Sequence, residues 1–356
     1  MDEVRNKQYL IWIVTTIICG ICLALPTEFG GQSLLNLQPF LHPTESVDGM
    51  IYDNLFTYAH LIDISYCITE VSGIQKPFQC NLDCDDFPDF NLVKQWCTLN
   101  NNCGYIATTH SNVFHYSDWS NKKTIVVAFR GTNSMKDSYA DMRLDSISYT
   151  NSGKFLPKCL NCKVHKGFYD YYQEALNNIC STILTELDLV GDEYELVILG
   201  HSLGGNTALL LGLHFLDLGY DKLSVVTMGQ PKLGNKHFVD WVDEVMGSNR
   251  ELVHNSFERK YIRVVHKNDI VTTIPNVRGK YHQFNNQIYL NTSSCNSFPL
   301  QDEVLDCATN DNPSCISGDF TNLSFWEYFT RSYLEIHLHY FRKIGFCNYH
   351  LFSRNP

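Results

Sequence analysis

Short apolar runs alternate with amphipathic stretches along the middle of the chain. Four runs are rich in β-branched and apolar residues: 124–129, 194–199, 223–228 and 261–265. Such runs are typical of strands that are buried on both faces. Residues 167–189 carry apolar side chains at helical spacing, and residues 206–216 predict an apolar helix. This alternation of strands and helices predicts an α/β fold with a mostly parallel sheet covered on both sides.

The flanking segments are less regular. Apolar residues cluster again at 55–66, whereas residues 80–120 are rich in Asp, Asn, Ser and Cys and are expected to form loops. Hydrophobic residues make up 44% of the chain, which excludes disorder, and the formal net charge of −11 argues against a nucleic-acid partner. No repeat or linker interrupts the sequence, so we expect one domain over residues 25–356.

Residues 9–25 form an almost continuous apolar run, which Pro26 follows. The small residues Cys22 and Ala24 suit cleavage after Ala24, so a signal peptide is predicted over residues 1–24. The run also approaches the lower limit of a membrane span, and an uncleaved anchor is the alternative. Either form would direct the chain to the secretory pathway, where it would be extracellular, vacuolar or membrane-anchored.

Cysteine usage indicates the same compartment. Of the 14 cysteines, Cys19 and Cys22 fall in the predicted signal, which leaves an even number in the mature chain. Zinc binding is the alternative to disulfides, but the cysteine pairs are scattered and no matching pair of histidines lies nearby. Disulfides are therefore favoured. Sequons at Asn291 and Asn322 are candidate glycosylation sites of a secreted chain.

The residues from Gly200 to Gly205 read GHSLGG and match the G-x-S-x-G pattern. They lie between a predicted strand and a predicted helix, which is the context that a nucleophile elbow requires. The glycines leave room for strand and helix to approach, and we expect the Ser202 hydroxyl to be exposed at the helix N-terminus. Ser202 is thus the candidate nucleophile, and the N–H of Leu203 is a candidate oxyanion donor.

A catalytic serine needs a histidine base and an acidic residue that orients the histidine. In α/β-hydrolases the acid follows the serine along the chain, and the histidine comes last. Asp269 follows the predicted strand 261–265, at the end of the sheet where active-site residues collect. The pattern alone does not choose among the histidines that come after it: His282, His337, His339 and His350.

Five motifs in order resemble those of the class 3 fungal lipase family, over about residues 66–347. They are the elbow and residues 126–132 (VVAFRGT), 164–168 (VHKGF), 229–231 (GQP) and 268–271 (NDIV). The family carries its base in Asp-His-Leu-x-Tyr-Phe, and residues 336–341 read IHLHYF. The resemblance therefore implies an α/β-hydrolase fold, no metal or cofactor, and His337 as the base, with His282 and His339 as alternatives.

The resemblance also implies further site residues. It places the second oxyanion donor at Thr132 and a short helical lid over residues 133–142, in which Met135 and Tyr139 share one face. By position it implies four disulfides: Cys67–Cys347, Cys80–Cys84, Cys159–Cys162 and Cys307–Cys315. It leaves Cys97, Cys103, Cys180 and Cys295 without assigned partners.

The resemblance thus implies a secreted triacylglycerol lipase that works through an acyl-enzyme. Its substrates would be lipid or other esters at an oil–water or membrane interface, with no obligate protein partner. A soluble carboxylesterase of the feruloyl esterase type is the alternative, because the lid is only modestly amphipathic. A non-catalytic hydrolase-fold binding protein is less favoured, because candidates for all the catalytic residues are present.

Overall fold

The computed structural model describes residues 45–114, 122–132, 144–253, 257–277, 279–285, 287–292, 296–307, 315, 335–345 and 347. All of them belong to one compact unit that spans residues 42–356. The predicted signal peptide, the predicted lid with Met135 and Tyr139, the sequon at Asn322, and His350 lie outside the described residues. The other candidate glycosylation site, Asn291, is exposed.

Strands account for much of the described chain. In chain order they are β1 (Glu45–Ser46), β2 (Asn91–Cys97), β3 (Cys103–Thr109), β4 (Lys123–Phe129), β5 (Ser146–Ser148), β6 (Lys163–His165), β7 (Tyr194–His201), β8 (Leu223–Met228), β9 (Tyr261–His266), β10 (Gln287–Leu290) and β11 (Val304–Asp306). One sheet has the order β1-β11-β10-β9-β8-β7-β4-β3-β2, and β5 pairs separately with β6. The five strands from β10 to β4 in this order are parallel to one another, and the outer pairs are antiparallel.

Four α-helices cover the two faces of this sheet within the described residues. They are α1 (Gly49–Ile64), α2 (Lys166–Asp188), α3 (Leu203–Asp217) and α4 (Lys236–Val245). Side chains of β4 alternate between the two cores: Ile125 and Val127 pack with α2, α3 and α4, whereas Val126 and Ala128 pack with α1. Because both faces are buried, the strand reads as a continuous apolar run. No described helix is both long and apolar enough to cross a membrane.

The expectation of loops over residues 80–120 is wrong for the middle of that segment. Strands β2 and β3 form an antiparallel hairpin in which Cys97 lies opposite Cys103. Leu92 and Trp96 of β2 are buried, whereas Asn91 and Gln95 are exposed. Strand β2 is at the edge of the sheet, so its polar positions face solvent and obscure the strand pattern.

Five disulfides link described cysteines. Four are the pairs implied by the resemblance: Cys67–Cys347, Cys80–Cys84, Cys159–Cys162 and Cys307–Cys315. The fifth joins Cys97 to Cys103, which the sequence left unassigned. Cys180 has a free, half-buried thiol, and Cys295 lies outside the described residues. The Cys67–Cys347 bridge spans 280 positions. Closing so long a loop restricts the unfolded chain and stabilises the fold by about 5 kcal/mol.

Asp217 is the last residue of α3, and its carboxylate binds the loop between β5 and β6. It accepts hydrogen bonds from the backbone N–H groups of Ser152, Gly153, Phe155 and Leu156 and from the Ser152 hydroxyl, at 2.5–3.4 Å. Burial alone would raise the pKa of Asp217. The hydrogen bonds outweigh burial and lower that pKa from 3.8 to about 2.

Asp217 is expected to make the folded protein sensitive to acid. Its folded pKa lies below 3.8, so the ionised group stabilises the fold above that pH and loses this contribution as the pH falls through 2. The lost stability is about 2 kcal/mol. In urea titrations, the free energy of unfolding of Asp217→Asn should fall less steeply over this range than that of the wild type. Asp170→Asn, which removes an exposed carboxylate of α2, should keep the wild-type slope. Identical slopes for Asp217→Asn and the wild type would contradict the expectation.

Candidate active site

Ser202 lies between the last residue of β7 and the first residue of α3. Its backbone has φ 57° and ψ −129°, a strained conformation that residues other than glycine rarely adopt. The Ser202 N–H donates to the Met228 carbonyl oxygen at the end of β8 (2.9 Å), and the Ser202 carbonyl accepts from the Gly205 N–H (2.9 Å). These bonds hold the serine at a tight turn between strand and helix.

Glycines allow this turn to close. A Cβ on Gly200 would lie 2.2 Å from the Gly204 carbonyl oxygen, and one on Gly204 would lie 2.6 Å from the Phe129 carbonyl oxygen. Neither approach is possible for a residue with a side chain. The expectation that Ser202 is exposed is wrong, since the residue is 0% exposed. The backbone of Gly131 packs directly on it, so that a Cβ on Gly131 would lie 2.9 Å from the Ser202 Cβ.

Asp269 follows β9 and precedes the 3-10 helix Ile270–Thr273. Its carboxylate is fully buried and accepts hydrogen bonds on both oxygens. Oδ1 accepts from the Val271 N–H (3.0 Å), and Oδ2 lies 2.8 Å from His337 Nδ1 and 2.5 Å from the Tyr340 hydroxyl. A buried carboxylate needs such donors, and here they come from three separate residues.

His337 is fully buried beside Asp269. Because Nδ1 faces a carboxylate, the neutral ring carries its proton on Nδ1 and presents a lone pair on Nε2. Nε2 is buried and has no hydrogen-bond partner among the described residues. Gly229, at φ +63°, follows the Met228 carbonyl that holds Ser202, and a Cβ on Gly229 would lie 2.7 Å from His337 Cε1. The serine and the imidazole therefore pack against the same short segment.

The other described histidines after Asp269 are directed elsewhere. Nδ1 of His339 lies 2.5 Å from the Ser297 hydroxyl oxygen. His282 is half-buried, and its backbone bridges to the segment before α4. Within the described part of the chain, His337 is the histidine whose ring bonds the Asp269 carboxylate.

The two candidate oxyanion donors belong to two segments that adjoin Ser202. Leu203 is the first residue of α3, and the first N–H groups of a helix have no partner within it and point out of its N-terminus. Thr132 directly follows Gly131, whose backbone contacts the serine. Both Leu203 and Thr132 are half-buried. The turn and the helix N-terminus thus both adjoin the serine.

Arg130 anchors the turn that carries Thr132. Its backbone N–H donates to the Cys103 carbonyl (3.0 Å), and its guanidinium donates to the Ile68 carbonyl (2.5 Å). The side chain is almost completely buried, and burial lowers the pKa of Arg130 below its ordinary value. A planar guanidinium with several donors suits a site that offers carbonyl oxygens.

Sequence reasoning missed three residues of the site: Tyr66, His201 and Tyr340. Tyr340 occupies the tyrosine of the family's C-terminal motif, so the resemblance contained a signal for it. Its hydroxyl donates to Asp269 Oδ2 and accepts from the His266 N–H (3.1 Å). Tyr66 and His201 bond each other at 2.6 Å although they are 135 positions apart. No local pattern signals such a contact.

One group of described side chains has the residue types that bind metals: His60, Asp83 and Asp86. The Arg342 guanidinium lies 3.2 Å from the Asp83 carboxylate and already compensates its charge. Both carboxylates are largely exposed, and the His60 ring packs edge-on against Phe87. We assign no metal to this group.

A mostly parallel sheet with helices on both faces and a serine at a strand–helix elbow defines an α/β-hydrolase. The sequence profile of the family described as Lipase (class 3) matches residues 126–279. Secreted mono- and diacylglycerol lipase 2 of Gibberella zeae is 30% identical over 323 residues, which cover 86% of this chain and 78% of that protein. The chain belongs to the class 3 lipase family and is a carboxylic ester hydrolase.

Solved structures agree with this assignment. The Lip2 lipase from Yarrowia lipolytica superposes with a TM-score of 0.71 at 29% identity, over 85% of this chain and 97% of that chain. A triacylglycerol lipase whose catalytic centre is formed by a serine protease triad superposes with a TM-score of 0.61 at 26% identity, over 86% of this chain and 100% of that chain. The predictions of an α/β-hydrolase fold and of a lipase are confirmed.

Proposed function

We propose that Ser202, His337 and Asp269 are the nucleophile, the base and the orienting acid of a triacylglycerol lipase. The observation that carries the proposal is the 2.8 Å bond between Asp269 Oδ2 and His337 Nδ1. This bond directs the lone pair of the imidazole onto Nε2, which has no hydrogen-bond partner among the described residues. A base needs that lone pair in order to take a proton from a hydroxyl.

The reaction then proceeds through an acyl-enzyme. Ser202 Oγ attacks the ester carbonyl carbon while its proton passes to His337 Nε2, and the N–H groups of Thr132 and Leu203 donate to the resulting oxyanion. When the intermediate collapses, the bond to the alcohol oxygen breaks and His337 protonates that oxygen. Water, deprotonated by the same Nε2, attacks the acyl carbon. The second intermediate then releases the fatty acid as the bond to Ser202 Oγ breaks, and His337 returns the proton to Oγ.

Asp269 supports the charge that appears on His337. Proton transfer turns the imidazole into a cation, and a carboxylate 2.8 Å away stabilises that cation in a buried site. The Tyr340 hydroxyl and the Val271 N–H hold the carboxylate in place through both oxygens. Asp269 can therefore stay fixed while the imidazole gains and loses its proton.

The relatives support acylglycerols as the substrate class. The Gibberella relative is named for mono- and diacylglycerols, and one solved neighbour is named for triacylglycerols. The buried serine fits this class, because an apolar ester loses little hydration when it enters a buried site. We take triacylglycerol at an oil–water interface as the principal substrate, with the soluble-ester enzyme as the competing possibility.

Hydrolysis of a short-chain triacylglycerol across its solubility limit tests the substrate class. A lipase is expected to show a moderate rise in rate when droplets appear, because the aggregated ester offers an apolar surface. A fully soluble ester serves as the control and should give a simple saturation curve. A triacylglycerol curve that saturates below the solubility limit, with no rise at the limit, would instead identify a soluble carboxylesterase.

We also propose that the enzyme acts outside the cell. Five disulfides among the described cysteines fit an oxidising compartment, and the Gibberella relative is named as secreted. Cells that express the full chain should release its esterase activity into the medium. Activity that stays with the cells would contradict the proposal.

A further inference from the structure

A buried chain of hydrogen bonds connects three segments of the site. The Gly131 N–H, in the turn before Thr132, lies 3.0 Å from the Tyr66 hydroxyl oxygen. The same oxygen lies 2.6 Å from Nδ1 of His201. Nε2 of His201 lies 2.8 Å from the main-chain oxygen of His337. Tyr66 and His201 thus join three segments: the turn that contains Gly131 and Thr132 (the oxyanion turn), the nucleophile elbow, and the segment of His337.

One assignment of protons satisfies all three bonds. The main-chain oxygen of His337 can only accept, so Nε2 of His201 carries the ring proton and Nδ1 is an acceptor. The Tyr66 hydroxyl must then donate to Nδ1 and accept from the Gly131 N–H. Each of these groups has a fixed role as donor or acceptor. If one of them rotated, a buried partner would lose its hydrogen bond.

Burial keeps both rings neutral. Tyr66 and His201 are 4% and 1% exposed. Burial lowers the pKa of His201 well below its ordinary value, and the neighbouring His337 lowers it further. Burial likewise raises the pKa of Tyr66 above its ordinary value. The hydroxyl therefore remains a donor, and the imidazole remains an acceptor at Nδ1, over the pH range in which a serine hydrolase works.

Packing makes the position of the oxyanion turn depend on the tyrosine. A Cβ on Gly131 would lie 2.6 Å from the Tyr66 hydroxyl oxygen and 2.9 Å from the Ser202 Cβ, so the turn is held closely between these two residues. Tyr66 is itself held, because the next residue is bonded through the Cys67–Cys347 disulfide. A displacement of the hydroxyl would therefore displace Gly131 and, with it, Thr132, which is the next residue.

We propose that Tyr66 is a positioning residue of the hydrolysis. Its hydroxyl keeps the N–H of Thr132 and the segment of His337 in register with Ser202, through its bonds to the turn and to the elbow histidine. This inference rests on the proposed function, because it concerns the alignment of those groups. The tyrosine acts through its neighbours and needs no contact with the ester.

The variant Tyr66→Phe keeps the ring and removes the hydroxyl. The Gly131 N–H then loses its acceptor, and His201 Nδ1 loses its donor. With a soluble short-chain ester, we expect kcat to fall on the order of 10- to 100-fold, because a displaced oxyanion donor weakens the transition state. KM should stay nearly unchanged, since the ground-state ester depends little on that donor. Inactivation by a fluorophosphonate should slow by a similar factor, because phosphonylation of Ser202 uses the same donors.

Tyr105→Phe is the matched control. Tyr105 is also fully buried, and its hydroxyl donates to the Leu61 carbonyl (2.8 Å). Its loss should lower the melting temperature by a similar amount without touching the oxyanion turn. A reduced kcat in Tyr66→Phe together with a wild-type kcat in Tyr105→Phe supports the proposal. An equal reduction of kcat in both variants would overturn it, because the reduction would then follow from lower stability in general.

The variant Ser202→Ala, measured in the same assays, distinguishes a failure of the role of Tyr66 from a failure of the proposed function. If Ser202→Ala is inactive while Tyr66→Phe has the wild-type kcat and inactivation rate, the positioning role is rejected and the proposed function stands. If Ser202→Ala still hydrolyses the ester at the wild-type rate, the proposed function fails and the role of Tyr66 fails with it.

Discussion

Replacing Ser202 with alanine is expected to lower kcat by about a million-fold, which leaves no hydrolysis above background in an ordinary assay. In the proposed mechanism the acyl-enzyme forms through the Oγ atom that this substitution removes. Alanine retains the Cβ, so the contact between the elbow and Gly131 is preserved and the melting temperature should stay close to that of the wild type. Initial rates on a soluble ester, measured together with thermal unfolding, check both expectations.

Ser224→Ala is a suitable control for this prediction. Ser224 is a buried serine at the start of β8, at the opposite end of the strand from the Met228 carbonyl that bonds Ser202. Its removal should leave kcat at the wild-type level, and a fluorophosphonate probe should still label the protein. Ser202→Ala should not be labelled. Comparable hydrolysis by the two variants would show that the nucleophile lies elsewhere.

The central strands were predictable from the sequence because they are buried on both faces. Strand β8 has the predicted bounds, and the predicted run 124–129 differs from β4 by one residue. Strand β2 was not predictable, since it lies at the edge of the sheet and the polar residues Asn91, Lys94 and Gln95 interrupt its apolar pattern. Helix α3 begins three residues before the predicted helix, because the glycines of the elbow hide its first turn.

In the candidate site, too, residues in local motifs could be predicted, whereas contacts between distant positions could not. Ser202 follows from a motif in its strand–helix context, and Asp269 follows from its place after a strand. His337 was chosen by family resemblance, because spacing alone left four histidines open. The bond between Tyr66 and His201 had no sequence signal, since it depends on how the residues just after α1 pack against the end of β7, 135 positions along the chain.

The two neighbouring histidines give the sharpest test of how the base is assigned. His337→Ala is expected to lower kcat/KM by about a million-fold, because Ser202 then has no proton acceptor. His339→Ala should retain most of the wild-type activity, because the His339 ring bonds the Ser297 hydroxyl rather than the Asp269 carboxylate. The two side chains are two residues apart and both are buried, so their removal is comparable in size and in setting.

Added imidazole separates a lost base from a lost fold. A small imidazole can occupy the cavity that His337→Ala leaves beside Asp269 and accept the Ser202 proton, so part of the activity should return as its concentration rises. The same addition should not increase the activity of His339→Ala, in which the His337 imidazole is still present. Strong loss in His339→Ala together with near-normal turnover in His337→Ala would move the base to the second histidine. That result would require the segment around residues 335–345 to rearrange on substrate binding, since in the present structure the aspartate bonds only the first of the two.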